Sequence, residues 1–198
     1  MSSSWALREL IDRTKPHHAD ADLVQLQLLG GASSTTAYRQ ELAKVYGFEK
    51  PLQVIFATQD LHLCGSCPRT RMSALHADLA ALGLSPSKLP VSTDFRVTSE
   101  RARVLGWFFV AERTAFLSTL LLRRLKKQLA WDVFDSATAY LSSCSMLGAA
   151  RWRDLGKVLD DHVSTPEVFD EITAGAEEAF ASQRRWFGSF RSWVAKAS

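Results

Sequence analysis

Two adjacent histidines, His17 and His18, stand in the stretch TKPHHADAD, between a proline and alternating alanines and aspartates. Imidazole ligates metals and moves protons near neutral pH, so the pair raises metal or cofactor binding at once. Neighbouring side chains on a helix diverge by about 100°, so both rings cannot face one ion. On a helical wheel His17 shares a face with Leu10, Thr14, Ala21, Val24 and Leu28. A neutral imidazole there is either a buried structural residue or an axial ligand to a cofactor lying against that face. Arg153 and Lys157 lie four apart in ARWRDLGKVLD, a spacing that puts two cations on one helix face and suits a dianion.

Other chemistry-bearing residues are less organised. Cys64 and Cys67 in CGSC have the spacing of a redox pair or half a zinc site. No second CxxC or spaced His pair completes a zinc site, and no strand precedes the motif as a thioredoxin-like arrangement requires. Cys67-Pro68 also matches the short Cys-Pro element found where haem regulates a protein, but a plain loop is the expectation. His62, His76 and His162 are scattered beside charged residues and read as surface histidines. Arg123, Arg124, Lys126 and Lys127 make a basic helix end that complements the C-terminal dipole, with a solvated face as its default reading. The GxG, GKS and HExxH patterns are absent.

The elements that must position these residues are helical, because apolar residues recur at helical spacing almost everywhere. A first helical region runs roughly from Trp5 to Leu29, interrupted or kinked near Pro16. A second enters through Ser and Thr caps in SSTTAYRQ and meets Pro51; a third, RTRMSALHADLAALGL, is closed by Gly83. A long helix is expected over roughly Thr98 to Gln128, then AWDVFDSATAYLSSCSML, then a separate element GAARWRDLGKVLDDH. The last helix starts at Thr165-Pro166-Glu167, a good N-terminal signature. No strand signal is convincing. The fold class is all-α.

At 198 residues the chain suits one domain, 1–198, with a substantial core. Hydrophobic residues at 46% and charged residues at 23% are ordinary for a globular protein, while Gly 10 and Pro 6 leave few breakers. The 24 basic and 21 acidic residues give a net charge of only +3, far short of a dedicated nucleic-acid binder. The most apolar run, Val104 to Leu122, carries Glu112 and Arg113 near its middle, so no membrane span is expected. The opening MSSSWALREL lacks a signal-peptide layout, and three cysteines, an odd number, argue against a disulfide scaffold. A cytoplasmic protein is the expectation.

Several stretches, in order, resemble the haem oxygenase family, particularly its short bacterial members. LIDRTKPHHADAD resembles the proximal-helix opening, where a Thr precedes the iron-binding His by four residues and an acidic residue follows four later. TAYRQELAKVYGFEKPL and RTRMSALHADLAALG are similar to the second and third helices, and RARVLGWFFVAER to the approach to the distal helix. ARWRDLGKVLD and AEEAFASQRRWF resemble the closing helices. The resemblance implies a single-domain multi-helix fold with haem between a proximal and a distal helix. It also implies opening of haem to biliverdin, carbon monoxide and ferrous iron, with electrons from a reductase, ferredoxin or ascorbate. Carried over by residue, His18 becomes the axial ligand and Asp22 takes the acidic position, while the apolar wheel favours His17 as ligand. Arg153 and Lys157 match cations that hold the propionates, Phe180 matches an aromatic contact, and Phe109 and Leu117 join the haem-lining set.

The distal segment departs from that pattern. The family reads approximately Glu-Gly-Ser-x-Leu-Gly-Gly; here ERTAFLST puts Arg113 at the first glycine and Leu117 and Ser118 at the later pair. Glycines let helix backbone approach a flat ligand, whereas Leu117 would project a side chain into that space. Ser118, Thr114 and Arg113 are the groups expected to supply distal hydrogen bonds if the protein is catalytic. The alternative expectation is a non-catalytic haem- or tetrapyrrole-binding or interaction protein on the same scaffold.

Overall fold

The helical periodicity is realised as eight α-helices and one short 3-10 turn, with no strand among the described residues. The computed structural model describes residues 4–28, 31–58, 68–95 and 100–189. The helices are α1 (Trp5–Leu28), α2 (Thr35–Thr58), α3 (Pro68–Ala81), α4 (Arg101–Ala115), α5 (Ser118–Gln128), α6 (Trp131–Ser136), α7 (Ala139–His162) and α8 (Pro166–Ser189). Both Pro16 and Pro51 sit inside continuous helices, so neither ends its element. Two sequence expectations on segmentation fail. The helix expected over Thr98 to Gln128 divides into α4 and α5, and GAARWRDLGKVLDDH is the second half of α7 rather than a separate element.

Helix ends explain much of the assembly, because the first amides of a helix need outside acceptors. Two caps are local. The Ser34 hydroxyl accepts from the Ala37 amide at 3.1 Å and the Thr165 hydroxyl from the Val168 amide at 3.4 Å. Two others come from distant carboxylates. Asp160 of α7 accepts from the Ala6 amide at 3.0 Å and the Ser4 hydroxyl at 2.8 Å, at the start of α1. Asp78 of α3 accepts from the Ala139 and Tyr140 amides, both at 2.8 Å, at the start of α7. At the end of α3, Gly83 takes φ 69° and the Leu84 amide reaches back to the Leu79 carbonyl at 2.8 Å. That left-handed cap is a glycine role.

The core has two apolar clusters. One joins α1, α4, α8, the later part of α2 and the end of α7, through Leu10, Leu52, Phe108, Phe109, Leu159, Ile172 and Phe180 among others. The second joins α3, α5, the early part of α2 and the start of α7, through Tyr38, Leu42, Leu75, Leu79, Leu121, Leu125 and Leu141. Because α2 and α7 enter both clusters, the molecule packs as one unit. Along the first cluster α4 and α8 touch backbone to backbone. A Cβ on Gly106 would strike the Ile172 carbonyl and the Ala176 amide, and one on Gly175 would strike the Arg103 carbonyl.

Between the two clusters lies a buried set of charges. Arg71 reaches Glu49 at 3.1 Å and Glu112 at 3.2 Å, and Arg151 also binds Glu112. The Tyr140 hydroxyl donates to Glu49 at 2.9 Å, and Arg71 donates to the Ala111 carbonyl at 3.1 Å. Two guanidinium groups thus balance two carboxylates, the condition for burying charge at tolerable cost. Glu112, which broke the most apolar run in the sequence, is answered by partners from α3 and α7. Among the described residues no single helix is long and apolar enough to cross a membrane.

Candidate functional site

The junction of α4 and α5 shapes the site. The two helices meet at a bend of 40°. There the Phe116 amide donates to the Arg113 carbonyl at 3.1 Å and the Leu117 amide to the Thr114 carbonyl at 3.3 Å. These three-residue bonds tighten the last turn and turn the chain without glycine or proline. Helical phase then sorts the residues. Arg113 and Leu117, four apart, face α1, whereas Thr114 and Ser118, also four apart, face the interior.

Facing α1 across the bend is a cleft of about 200 Å³, lined by Ile11, His18, Asp22, Arg113, Phe116, Leu117 and Trp152. Arg113 closes it with a paired contact to Asp22, Nη1 to Oδ1 at 2.6 Å and Nη2 to Oδ2 at 2.9 Å. On α1 the Thr14 hydroxyl is buried, donates to the Leu10 carbonyl at 2.7 Å and lies 2.9 Å from His18 Nε2. With its single proton given to Leu10, the hydroxyl accepts from Nε2–H, which leaves the lone pair on Nδ1. Burial, then the facing Arg113 cation, holds the His18 imidazole below its ordinary pKa. The ring is therefore held toward the neutral form that metal ligation needs.

His17 points elsewhere. Its ring stacks on Phe180 with centroids 5.5 Å apart, and Nδ1 lies 3.2 Å from Arg184 Nη1. Phe180, buried in α8, also meets the His18 ring at 5.7 Å, so it backs both histidines. Phe109 is fully buried and does not line the cleft; it supports Trp152, which does, at a ring separation of 5.5 Å. Arg153 and Lys157 are exposed on α7 outside the cleft lining, and Lys157 pairs with Asp154 at 3.3 Å. Of the three groups expected to serve distal hydrogen bonding, only Arg113 enters the cleft. Thr114 and Ser118 line an enclosed cavity of about 20 Å³ together with Gln25, Glu49, Tyr140 and Gln183. That is room for about one water. Thr114 donates there to the Val110 carbonyl at 2.9 Å and accepts from Gln183 Nε2 at 3.4 Å.

Among the described residues no group of three or more His, Cys, Asp or Glu side chains could hold a bare metal ion. Cys64, Cys67 and His62 lie outside the described residues. His76, read as a surface histidine, instead packs its half-buried ring on Tyr46 at 5.6 Å. Sequence reasoning missed Trp152 as a cleft wall and missed the Asp22–Arg113 pair. The signal for the pair was present in outline. An arginine within the most apolar run of the chain needs an acidic partner, and Asp22 stands one helical turn beyond His18. Compared with known proteins, the chain matches no family model, no curated protein and no solved structure.

Proposed function

We propose that this protein is haem oxygenase-like, taking haem as substrate in the cleft between α1 and the α4–α5 bend, with His18 as axial ligand. One observation carries the reading: His18, and not His17, lines the cleft, opposite Arg113 and Leu117. The donor chemistry fits haem, because a half-buried imidazole held toward its neutral form faces an apolar wall of Ile11, Leu117, Phe116 and Trp152. The volume fits only an edge of it. About 200 Å³ falls below the roughly 300 Å³ at which small-molecule pockets begin. Haem bound to a histidine supplies the iron on which oxygen is activated for ring opening, with electrons from an external donor such as a reductase or ferredoxin.

This chain's own residues gate that binding. The Arg113–Asp22 pair, partly exposed, costs on the order of 1–2 kcal/mol to open. With Nε2–H held by Thr14, the Nδ1 lone pair is what His18 would offer to iron, and the Thr14 hydroxyl is the outer contact that orients the imidazole. Ile11, Phe116 and Trp152 then exclude water from the bound face.

The narrowness at Phe116 and Leu117 favours a second reading, in which haem or another tetrapyrrole is held without turnover. Haemin titration followed by reductant in air separates the readings. A Soret band that is lost in His18→Ala and kept in His17→Ala, followed by biliverdin absorbance, supports the oxygenase. The same band without biliverdin leaves the binder, and no Soret shift at all refutes both.

A further inference from the structure

The basic run on α5 forms a surface feature that the haem reading does not use. Leu120, Arg123, Arg124 and Lys127 are spaced i, i+3, i+4 and i+7 and are all exposed, so they form one outward stripe about 100° wide. α5 carries no acidic side chain, and no ion pair engages Arg123, Arg124 or Lys127 among the described residues. Lys126, at the edge of the stripe, lies over the Trp131 ring at 5.8 Å. The opposite face of the same helix buries Leu121 and Leu125, so α5 is anchored in the core and the cations cannot turn inward.

The neighbours of this stripe are apolar. Phe116 is 46% exposed, Leu120 40%, Trp131 65% and Met146 82%. Met146 stands on α7, next to Ser145, whose hydroxyl is 2.6 Å from that of Thr119 on α5. Asp132 and Asp135 on α6 are the acidic groups nearest in sequence, and both are exposed beyond the end of the stripe. Cations interleaved with Leu, Phe, Met and an exposed indole fit a surface that offers negative charge outside and hydrocarbon just beneath. A nucleic-acid backbone gives the apolar groups nothing to enter, and a protein interface core is depleted in lysine, whereas a bilayer takes both kinds of side chain at different depths.

We propose that the α5 face, with Leu120, Trp131 and Met146, docks the protein on an anionic lipid bilayer. Co-sedimentation of the full chain with vesicles tests it. One set is phosphatidylcholine alone, and the other carries about one third phosphatidylglycerol. The protein pellets with the anionic set only, and releases at about 1 M salt, where the Debye length falls to about 3 Å. Each cation near such a surface is worth about fivefold in partitioning, so the triple variant Arg123→Gln, Arg124→Gln, Lys127→Gln loses about a hundredfold. The charge-conserving variant Arg123→Lys, Arg124→Lys keeps its binding. In the bound state the tryptophan emission shifts to the blue, by less in Trp131→Phe. Equal binding to neutral vesicles overturns the proposal, as does unchanged binding by the triple variant. Binding to polyglutamate or to DNA with none to vesicles assigns the stripe to another class of partner and overturns it as well.

Discussion

Replacing Glu112 by Gln keeps the shape of the side chain and removes one charge from the centre of the molecule. Glu112 Oε1 accepts from both Arg71 and Arg151, and all three side chains are at least 95% buried, with exposures of 2%, 5% and 4%. The substitution leaves Arg71 with Glu49, which already takes the Tyr140 hydroxyl, and takes from Arg151 the carboxylate it pairs with. Removing one partner of a buried charge group costs about 3–5 kcal/mol, because the remaining charge has lost its compensation and cannot reach water. For a chain of this size each 1 kcal/mol moves the melting point by about 2–4 °C, so melting falls by about 6–20 °C. Asp170→Asn is the control. Its partner Arg13 is 43% exposed and Asp170 65%, so the loss there stays below about 1 kcal/mol. Thermal melting followed by circular dichroism reads both. A Glu112→Gln variant that melts within about 2 °C of the parent refutes the view that these four groups form one compensated set.

Three further predictions concern the cleft and the helix contact behind it. Arg113→Gln removes the cation that, after burial, holds the His18 pKa down, and it frees Asp22 beside the ring, so that pKa rises; imidazole proton shifts followed by NMR across the titration check it, and a fall contradicts the assignment. Leu117→Gly widens the cleft and tightens haemin binding at a stability cost of about 2–4 kcal/mol, because a half-buried side chain packed on the second cluster is lost, read by Soret titration and denaturant melting; looser haemin binding counts against the cleft as the haem site. Gly106→Ala puts a Cβ against α8 backbone that cannot yield and costs at least about 1–3 kcal/mol, whereas Gly148→Ala meets nothing and gains about 0.5–1 kcal/mol; equal midpoints in urea refute the close-contact argument.

Local chemistry was legible in the sequence where a residue answers for its own neighbourhood. The Thr165 cap and the Gly83 stop are readable because each depends on residues a few positions away. The break at Phe116–Leu117 was not, since apolar spacing continues across it and neither glycine nor proline marks it. What bends the chain there is a change from four-residue to three-residue bonding, set by packing on both sides. The His17-or-His18 question was undecidable from the wheel for a similar reason. The wheel placed His17 among apolar residues, but the large apolar neighbour is Phe180, 163 positions away from it in numbering, and the cleft opens on the next face. The Asp22–Arg113 pair joins residues 91 apart, and only the packing of α1 against the bend brings them together.

The glycine contact between α4 and α8 has a mechanical consequence for the cleft. With Gly106 and Gly175 letting the two backbones touch, and Glu112 tied to α3 and α7 from the other side, α4 is a fixed datum against which the rest can move. Entry of any guest must therefore be met by the opposite wall, α1, or by the short step at Phe116–Leu117 where four-residue bonding gives way to three-residue bonding. The cleft is a jaw with one immovable plate. Its capacity is set by how far His18, Asp22 and Leu117 can swing, and substitutions meant to change what it admits belong on that yielding side.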